Sequence, residues 1–243
     1  MKNPFSIIIC LIFATFFSLF RYPVQAQSFK KGELLVSATD GISPVNYTTT
    51  ESGHNDGVYH THTQGNGYNI SAEYGLSKRL GIGISLTRDV YEIPGANYVD
   101  PGEENYYKYN MTDIDFFSPS HSDIKSTANQ YTVEASYHYL MAKKWDLSAY
   151  AGAGLATVAI TGVTSMKQNY DYHAIGGVAK VGSKVRYCIT KRVGVSWTLS
   201  AFALDASPEA GKCNYGSAVN EGSAFTTKIS GFSTELGLTV RFF

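Results

Sequence analysis

Serine, histidine and aspartate residues that could carry out hydrolysis cluster in one polar stretch of this 243-residue sequence. Hydrolysis through a covalent intermediate requires a nucleophile, a histidine and an orienting acid within hydrogen-bond reach. The stretch "SPSHSD" offers Ser118, Ser120, His121, Ser122 and Asp123. Because these residue types are also common in solvated polar loops, the cluster by itself predicts no catalytic residue.

Metal-ligating residue types occur in a second polar stretch, "VYHTHT". His60 and His62 are two residues apart, so on a strand both would project to one side and could bind Zn²⁺ or Cu²⁺. A third ligand, His54, would join only if its loop folded back. Asp113 and Asp115 in "TDIDFF" have neither the glycine nor the terminal glutamate of a calcium loop. The sequence therefore predicts no metal site and no cofactor.

Residues 1–26 have the composition of an export signal. Lys2 precedes the apolar run "FSIIICLIFATFFSLF", and "VQA", which ends at Ala26, is a small-residue cleavage site. The 16 residues of the run would span about 24 Å as a helix, less than the roughly 30 Å of a hydrocarbon core. We therefore predict a cleaved signal peptide, 1–26, and a single mature domain, 27–243.

The charge and the cysteine content of the mature chain exclude several classes of protein. Loss of Lys2 and Arg21 leaves a formal charge of −2, which argues against nucleic acid as a partner. The two remaining cysteines, Cys188 and Cys213, are predicted at opposite ends of a strand, farther apart than the roughly 7 Å between Cα atoms that a disulfide allows. No later stretch has ~18 uninterrupted apolar residues, so no internal transmembrane helix is predicted.

Alternation of apolar and polar residues recurs along the mature chain. Leu80, Ile82 and Ile84, for example, alternate with glycine and serine, which is typical of a strand with one apolar and one polar face. Eight such strands are predicted, at 32–43, 66–76, 80–90, 129–140, 145–160, 173–188, 193–204 and 228–243.

The connections between the predicted strands alternate in length. Three are tight turns, within "YGLSKRLGIGIS", "YLMAKKWDLSAY" and "YCITKRVGVSWT", where an aromatic residue precedes a pair of basic residues. Tight turns at one end, long loops at the other and an even strand count are typical of outer-membrane barrels. The sequence predicts an all-β fold, an eight-stranded antiparallel up-and-down transmembrane β-barrel. The long connections are predicted at 44–65, 91–128, 161–172 and 205–227.

Charge is sorted between the two ends of the predicted barrel. The tight turns carry six bases and no acid, whereas the long loops carry 13 acids and four bases, a net −9. An acidic rim would attract cationic partners, or divalent cations that bridge to lipopolysaccharide. The aromatic residues near the turns are expected to form a girdle at headgroup level, comprising Tyr74, Tyr139, Trp145, Tyr187 and Phe242.

With its export signal, its three basic hairpins and its tail "FSTELGLTVRFF", the chain resembles the bacterial outer-membrane β-barrels of the small eight-stranded, porin-family or outer-membrane-protein-A-like type. The resemblance implies a Gram-negative outer membrane, with its lipids and lipopolysaccharide as partners. It also implies that Phe243 is an insertion signal read by the barrel-insertion machinery. The tail departs from the usual register of that signal, because Leu236, Leu238 and Val240 share a face with Phe242. Both mature termini are predicted on the periplasmic side.

The polar faces of the predicted strands carry charged residues that would point into the barrel. Eight strands enclose an interior just wide enough for side chains, and opposite charges there should pair because unpaired charges are costly to desolvate. A soluble ligand-binding barrel, the alternative fold, would turn its apolar face inward instead. The predicted lumen ion-pair network comprises Glu73, Glu134, Lys180, Lys184, Arg186 and Glu235.

These features predict a narrow or plugged lumen and no enzyme. The resemblance implies a structural or adhesive role, or small-solute passage, carried by long extracellular loops. Loop 91–128, with Tyr106, Tyr107 and Tyr109, would be the main contact for an extracellular ligand. The alternative is a membrane-embedded lipid-modifying enzyme, an acyl hydrolase or acyltransferase, because such enzymes use the same scaffold.

Overall fold

A computed structural model describes residues 29–52, 57–93, 97–99, 125–142, 144–163, 169–207, 213–215, 218–220 and 224–242. Within these ranges, no helix has the length and apolar character needed to span a bilayer. Three short strands lie between longer ones in the chain, at Asn97–Val99, Cys213–Tyr215 and Ala218–Asn220. The eight long strands of the described residues are β1 (Leu34–Ser52), β2 (Gly57–Gly75), β3 (Leu80–Glu92), β4 (Lys125–Met141), β5 (Trp145–Val163), β6 (Asn169–Cys188), β7 (Val193–Ser207) and β8 (Ala224–Phe242).

The eight strands close into a barrel. Each pairs antiparallel with the next in sequence, and β1 pairs with β8 as well as with β2. The row of paired residues that begins at Leu34 reaches Phe232 on β8 and returns to β1 near Pro44, ten residues farther along. This stagger tilts the strands by about 40° from the barrel axis. The prediction of a closed, antiparallel, eight-stranded β-barrel is confirmed.

On the half of the barrel nearest the tight turns, the wall is apolar outside and polar inside. Ile84, Val133 and Leu236 point outward and are 57–63% exposed, whereas Glu134 and Lys184 point inward and are 5% exposed. The apolar belt covers about ten residues of each strand, or roughly 25 Å of height for tilted strands. This polarity suits lipid and is the reverse of a soluble ligand-binding barrel.

The strands extend farther from the turns than the alternation predicts. The predicted loop at 44–65 is wrong, because β1 continues to Ser52 and β2 begins at Gly57. The physical reason is a change in which face is apolar. Along β1, Leu34, Val36, Ala38 and Ile42 point outward, whereas farther along Val45 and Tyr47 point inward and Asn46 points outward. The change resembles a strand end in sequence, although the pairing of β1 with β2 continues without a bulge.

The predicted long connections at 91–128, 161–172 and 205–227 are likewise shorter in the structure. Strands β4, β5, β6 and β8 extend into them. The inward side chains of this outer half form an apolar core. The outer half therefore resembles a small soluble barrel stacked on the lipid-facing half. Its core residues are Val45, Tyr47, Tyr91, Ile93, Ala128, Ala156, Val158, Ile160, Ala174, Val178, Phe202, Leu204, Ala206 and Ile229.

The three tight turns lie at one end of the barrel, where they were predicted. Backbone hydrogen bonds close them, from Leu76 N to Leu80 O, from Ala142 N to Trp145 O and from Ile189 N to Val193 O. Lys143 of the second turn lies outside the described residues.

The predicted girdle residues all lie on the outer wall beside these turns. Tyr74, Tyr139 and Phe242 are about half exposed, at 48%, 50% and 51%. Tyr187 is more buried because its ring packs against that of Trp145, with centroids 4.8 Å apart.

Candidate functional site in the barrel lumen

The six residues predicted for the lumen all lie on inward-facing strand positions and are buried. Alternation along β2, β4, β6 and β8 places them there, because every second side chain points into the barrel. Four of the six make direct ion pairs, in two separate groups, and two do not. The exposed fractions are 4% for Glu73, 5% for Glu134, 4% for Lys180, 5% for Lys184, 3% for Arg186 and 6% for Glu235.

The first group is centred on His138 of β4, which is completely buried. Its Nδ1 lies 2.6 Å from Asp146 Oδ1 and its Nε2 lies 2.9 Å from Glu73 Oε1. Arg186 donates to the same two carboxylates, with Nη1 3.2 Å from Asp146 Oδ2 and Nη2 on Glu73 Oε2. Ser136 also donates to Glu73. Both ring nitrogens face carboxylate oxygens, so the doubly protonated imidazolium is the form of His138 that would donate to both.

The second group joins β4 and β6 in the middle of the membrane-facing half. Lys184 Nζ lies 2.6 Å from Glu134 Oε2, and Ser85 Oγ donates to Glu134 Oε1 at 2.8 Å. The ammonium of Lys184 also lies 4.3 Å from the ring centroid of Tyr150. Both oxygens of this carboxylate therefore have a donor, as a buried charge requires.

Lys180 and Glu235 make no direct ion pair with any described residue. Lys180 Nζ donates to Thr87 Oγ1 at 2.7 Å. Glu235 accepts hydrogen bonds from Thr39 Oγ1 at 2.7 Å and from Asn69 Nδ2 at 3.0 Å. The two charges still attract one another through the lumen, where the low dielectric extends the range of the interaction.

The sequence reasoning missed a cap at the turn end, formed by residues 29–33. Phe29 is 2% exposed and stacks on the imidazole of His138. Gly32 has a φ of 82°, a left-handed conformation suited to glycine, and its N–H donates to Gly75 O at 2.8 Å. Gly75 N in turn donates to Glu33 O at 2.9 Å. A side chain at Gly75 would collide with the carbonyl of Lys30, so the cap lies directly against β2.

A buried ion pair anchors the cap to the last strand. Glu33 is 1% exposed, and its Oε1 lies 2.8 Å from Arg241 Nε. Arg241 also donates to the sulfur of Cys188 at 3.4 Å. Glu33 could have been predicted from the sequence. The odd-numbered residues of β1 point inward, and Glu33 is the next odd-numbered position before Leu35. Nothing in the local sequence pattern indicated that Phe29 would fold back under the barrel.

The other candidate residues do not assemble into a site within the described part of the chain. His60 and His62 lie on β2 and face outward, and His60 Nδ1 is 2.9 Å from Thr48 Oγ1. Across the described ranges, no three histidine, cysteine or acidic groups are arranged to hold a metal ion. Other candidates lie outside the described residues, namely His54, Tyr106, Tyr107, Tyr109, Asp113, Asp115, Ser118, Ser120, His121, Ser122, Asp123 and Phe243.

Three layers of described residues therefore fill the lumen beneath the apolar core of the outer half: the cap, the His138 group and the Lys184–Glu134 pair. Cys188 is a free thiol, buried at the turn end of β6.

Comparison with known proteins identifies the fold and nothing narrower. No family model and no curated protein matches the sequence. Among solved structures, the outer membrane protein OprG from Pseudomonas aeruginosa is 9% identical, with a TM-score of 0.53 over 89% of this chain and 99% of that chain. Ail of Yersinia pestis is 12% identical, with a TM-score of 0.43 over 87% and 99%. A major outer membrane protein of Thermus thermophilus is 13% identical, with a TM-score of 0.47 over 87% and 99%. The chain therefore has the fold of the small eight-stranded outer-membrane β-barrels that its sequence resembles.

Proposed function

We propose that the protein is an integral outer-membrane barrel that acts through its outer end, in a structural or adhesive role, and is not a diffusion pore. The observation that carries this proposal is the filled lumen. Lys184 and Glu134 pair inside it, Arg186 and His138 bind two further carboxylates, and Phe29 covers the turn end. A solute would have to break these ion pairs in a low-dielectric interior, which is costly.

The length of the strands supports a role for the outer end. About ten residues suffice for a tilted strand to cross a membrane, whereas β1, β2, β5 and β8 each have 19 residues. The remaining residues would raise the rim by roughly 20 Å above the lipid at about 2.5 Å of height per residue. The apolar core inside this rim stabilises it in water, so it can hold the long loops at a fixed distance from the membrane.

The proposed orientation has the tight turns and both mature termini in the periplasm. Basic residues at the turns, such as Lys78, Arg79 and Arg192, would lie beside anionic headgroups, where each contributes on the order of 1 kcal/mol. In this orientation the signal peptide 1–26 is removed before insertion, Phe243 is presented to the insertion machinery, and the acidic loops face lipopolysaccharide or an extracellular ligand.

Planar-bilayer recording of the purified protein tests the closed lumen. We expect no stable single-channel conductance, because the ion-pair layers fill the lumen. The matched control replaces Lys228 and Asp205, an exposed pair on the outer wall with an N–O distance of 3.6 Å, by alanine, and it should behave like the wild type. Large, stable conductance from the wild-type barrel would exclude the proposal.

Mass spectrometry of lipid A tests the absence of catalysis. Cells with and without the gene should carry the same acyl chains if the role is structural or adhesive. The gain or loss of one acyl chain would assign the protein to the lipid-modifying enzymes that share this scaffold.

A further inference from the structure

The lipid-facing wall carries a groove of about 550 Å³ that runs across β8, β7 and β6, between β1 and β5. Val185 and Val195 form its floor, and both point outward but are half-buried. Val185 pairs with Trp197, and Val195 pairs with Tyr187. Two small side chains therefore lie beside two large aromatic ones, and this difference in size makes the wall concave here.

A cation is held at the lower end of the groove, beside the tight turns. The rings of Trp145 and Tyr187 pack together there, and Lys144 Nζ lies 3.3 Å from Tyr187 Oη and 5.6 Å from its ring centroid. Aromatic rings of this kind settle at headgroup level. An ammonium has three N–H donors, so Lys144 can bind an anionic oxygen at this level while it keeps its contact with Tyr187.

Polar groups limit the groove at its upper end. Trp197 Nε1 donates to Thr234 Oγ1 at 2.9 Å, and Asp40 lies on the adjacent strand. Asp40 is six residues from Leu34, or about 15 Å above the turn end at roughly 2.5 Å of height per residue. Since the apolar belt is roughly 25 Å tall, the groove extends from one membrane surface to about the middle. One leaflet of lipid occupies this depth.

The charges at the turn end determine which occupant fits the groove. The exposed charged residues described there are all basic, namely Lys30, Lys31, Lys78, Arg79, Lys191 and Arg192. The two acids of this end, Glu33 and Asp146, are buried in ion pairs. A second copy of the barrel, inserted in the same direction, would place bases against Lys144, and like charges repel. An anionic lipid headgroup would instead be attracted.

We propose that this groove binds one anionic glycerophospholipid from the leaflet on the turn side, which is the periplasmic leaflet in the orientation proposed above. One acyl chain lies over Val185 and Val195 between the aromatic rings, and the phosphate accepts a hydrogen bond from Lys144. The inference rests on the proposed insertion of the barrel in the membrane and is independent of the closed lumen.

Packing and charge together retain the lipid. Lipid tails are as apolar as the wall, so no hydrophobic driving force holds the chain in place. A concave surface, however, gives a chain more contacts for dispersion attraction than a convex one. A basic residue at the membrane surface adds attraction to an anionic headgroup. One lipid would therefore be held here in preference to its neighbours.

Tryptophan fluorescence tests the site directly, because the chain has two tryptophans, Trp145 and Trp197, and both line the groove. The folded barrel is placed in phosphatidylcholine vesicles in which a small fraction of the lipid carries brominated acyl chains, which quench an indole that they touch. We expect brominated phosphatidylglycerol to quench more than the same fraction of brominated phosphatidylcholine, with the excess saturating as the fraction rises. Unlabelled phosphatidylglycerol should reverse the excess quenching.

Two variants alter the site in different ways. Lys144→Gln removes the cation and should lower the preference for phosphatidylglycerol about fivefold, since one basic residue contributes on the order of 1 kcal/mol near anionic lipid. Val195→Phe fills the floor of the groove and should abolish the excess quenching. The matched control, Lys78→Gln, removes an exposed base from the turn between β2 and β3, outside the groove, and should retain the full preference.

Heat-modifiable gel migration first confirms that each variant is folded, so that a negative result refers to the groove. Equal quenching by the two brominated lipids would mean that the wall touches only ordinary bilayer lipid. Reversal by unlabelled lipid A, but not by phosphatidylglycerol, would assign the groove to the opposite leaflet. Excess quenching that survives both Lys144→Gln and Val195→Phe would place the bound lipid elsewhere. Each of these results would overturn the proposal, whereas the closed lumen is tested separately by conductance.

Discussion

Phe29 lies flat on the imidazole of His138, with ring centroids 3.7 Å apart and ring planes 12° apart. The contact joins the first described residue of the chain to the centre of the buried ionic layer. An aromatic face stabilises a cation held against it, and His138 bears its charge between two carboxylates. The cap and the ionic layer are therefore one unit, and loss of the cap should expose the layer to water.

Phe29→Ala should lower the free energy of unfolding by about 3 kcal/mol, the usual cost of removing a buried phenylalanine. The matched control is Phe232→Ala on the outer wall, where the ring is 63% exposed and its loss should cost less. Urea titration of both variants in the same lipid checks the difference. Equal losses would mean that Phe29 does not close the barrel.

Lys184→Met should destabilise the barrel by about 3–5 kcal/mol, because it leaves the buried carboxylate of Glu134 without its partner. Adding Glu134→Gln should restore most of the lost free energy of unfolding, since the second change removes the unpaired buried charge. A double-mutant cycle from urea unfolding measures this coupling. The control, Lys228→Met, breaks a pair whose side chains are 62% and 60% exposed and should cost less than about 1 kcal/mol. Additive losses at Lys184 and Glu134 would contradict a buried pair.

The membrane-facing half could be predicted from the sequence because its strands and turns are determined by residues that are close together in the chain. Alternation such as Leu80, Ile82 and Ile84 determines which side chains meet lipid, and the three basic motifs mark the turns. Once eight strands and their faces were known, the inward position of Glu134 and Lys184 followed from the period of the strand alone.

The rest depends on contacts between residues far apart in the chain. The inward positions of β1 become apolar at Val45 and Tyr47 because the barrel leaves the lipid there and water becomes the outer solvent. No local sequence pattern indicates where that change of solvent occurs. The cap depends on Phe29 meeting His138, more than a hundred positions away in sequence. The alternation along a strand indicates which side of the barrel wall a residue faces. It does not indicate which distant aromatic ring will pack against that residue.

Asp40→Leu should stabilise the barrel in a bilayer. Asp40 is exposed on the outer wall of β1, six residues from Leu34, which places it about 15 Å above the turn end at roughly 2.5 Å of height per residue. It is therefore an acid facing lipid, and its removal should add about 1 kcal/mol to the free energy of unfolding. Asp205→Leu, above the belt, should not stabilise. A loss of stability in Asp40→Leu would indicate that the carboxylate has a partner within the membrane.

The outer wall changes from apolar to polar along the strands. A charge should therefore be costly at an outward position in the lipid belt and almost free at an outward position above it. Ile84→Lys places an ammonium in the lipid belt and should cost about 2–4 kcal/mol, whereas Asn46→Lys, on the outer half of β1, places it in water and should cost almost nothing. Both original side chains face outward, so burial in the lumen does not distinguish them. Heat-modifiable migration and urea unfolding of the two variants in lipid vesicles measure the difference. If Asn46→Lys were as damaging as Ile84→Lys, the lipid would reach the outer half, and the apolar core there would have to be explained without a protruding rim.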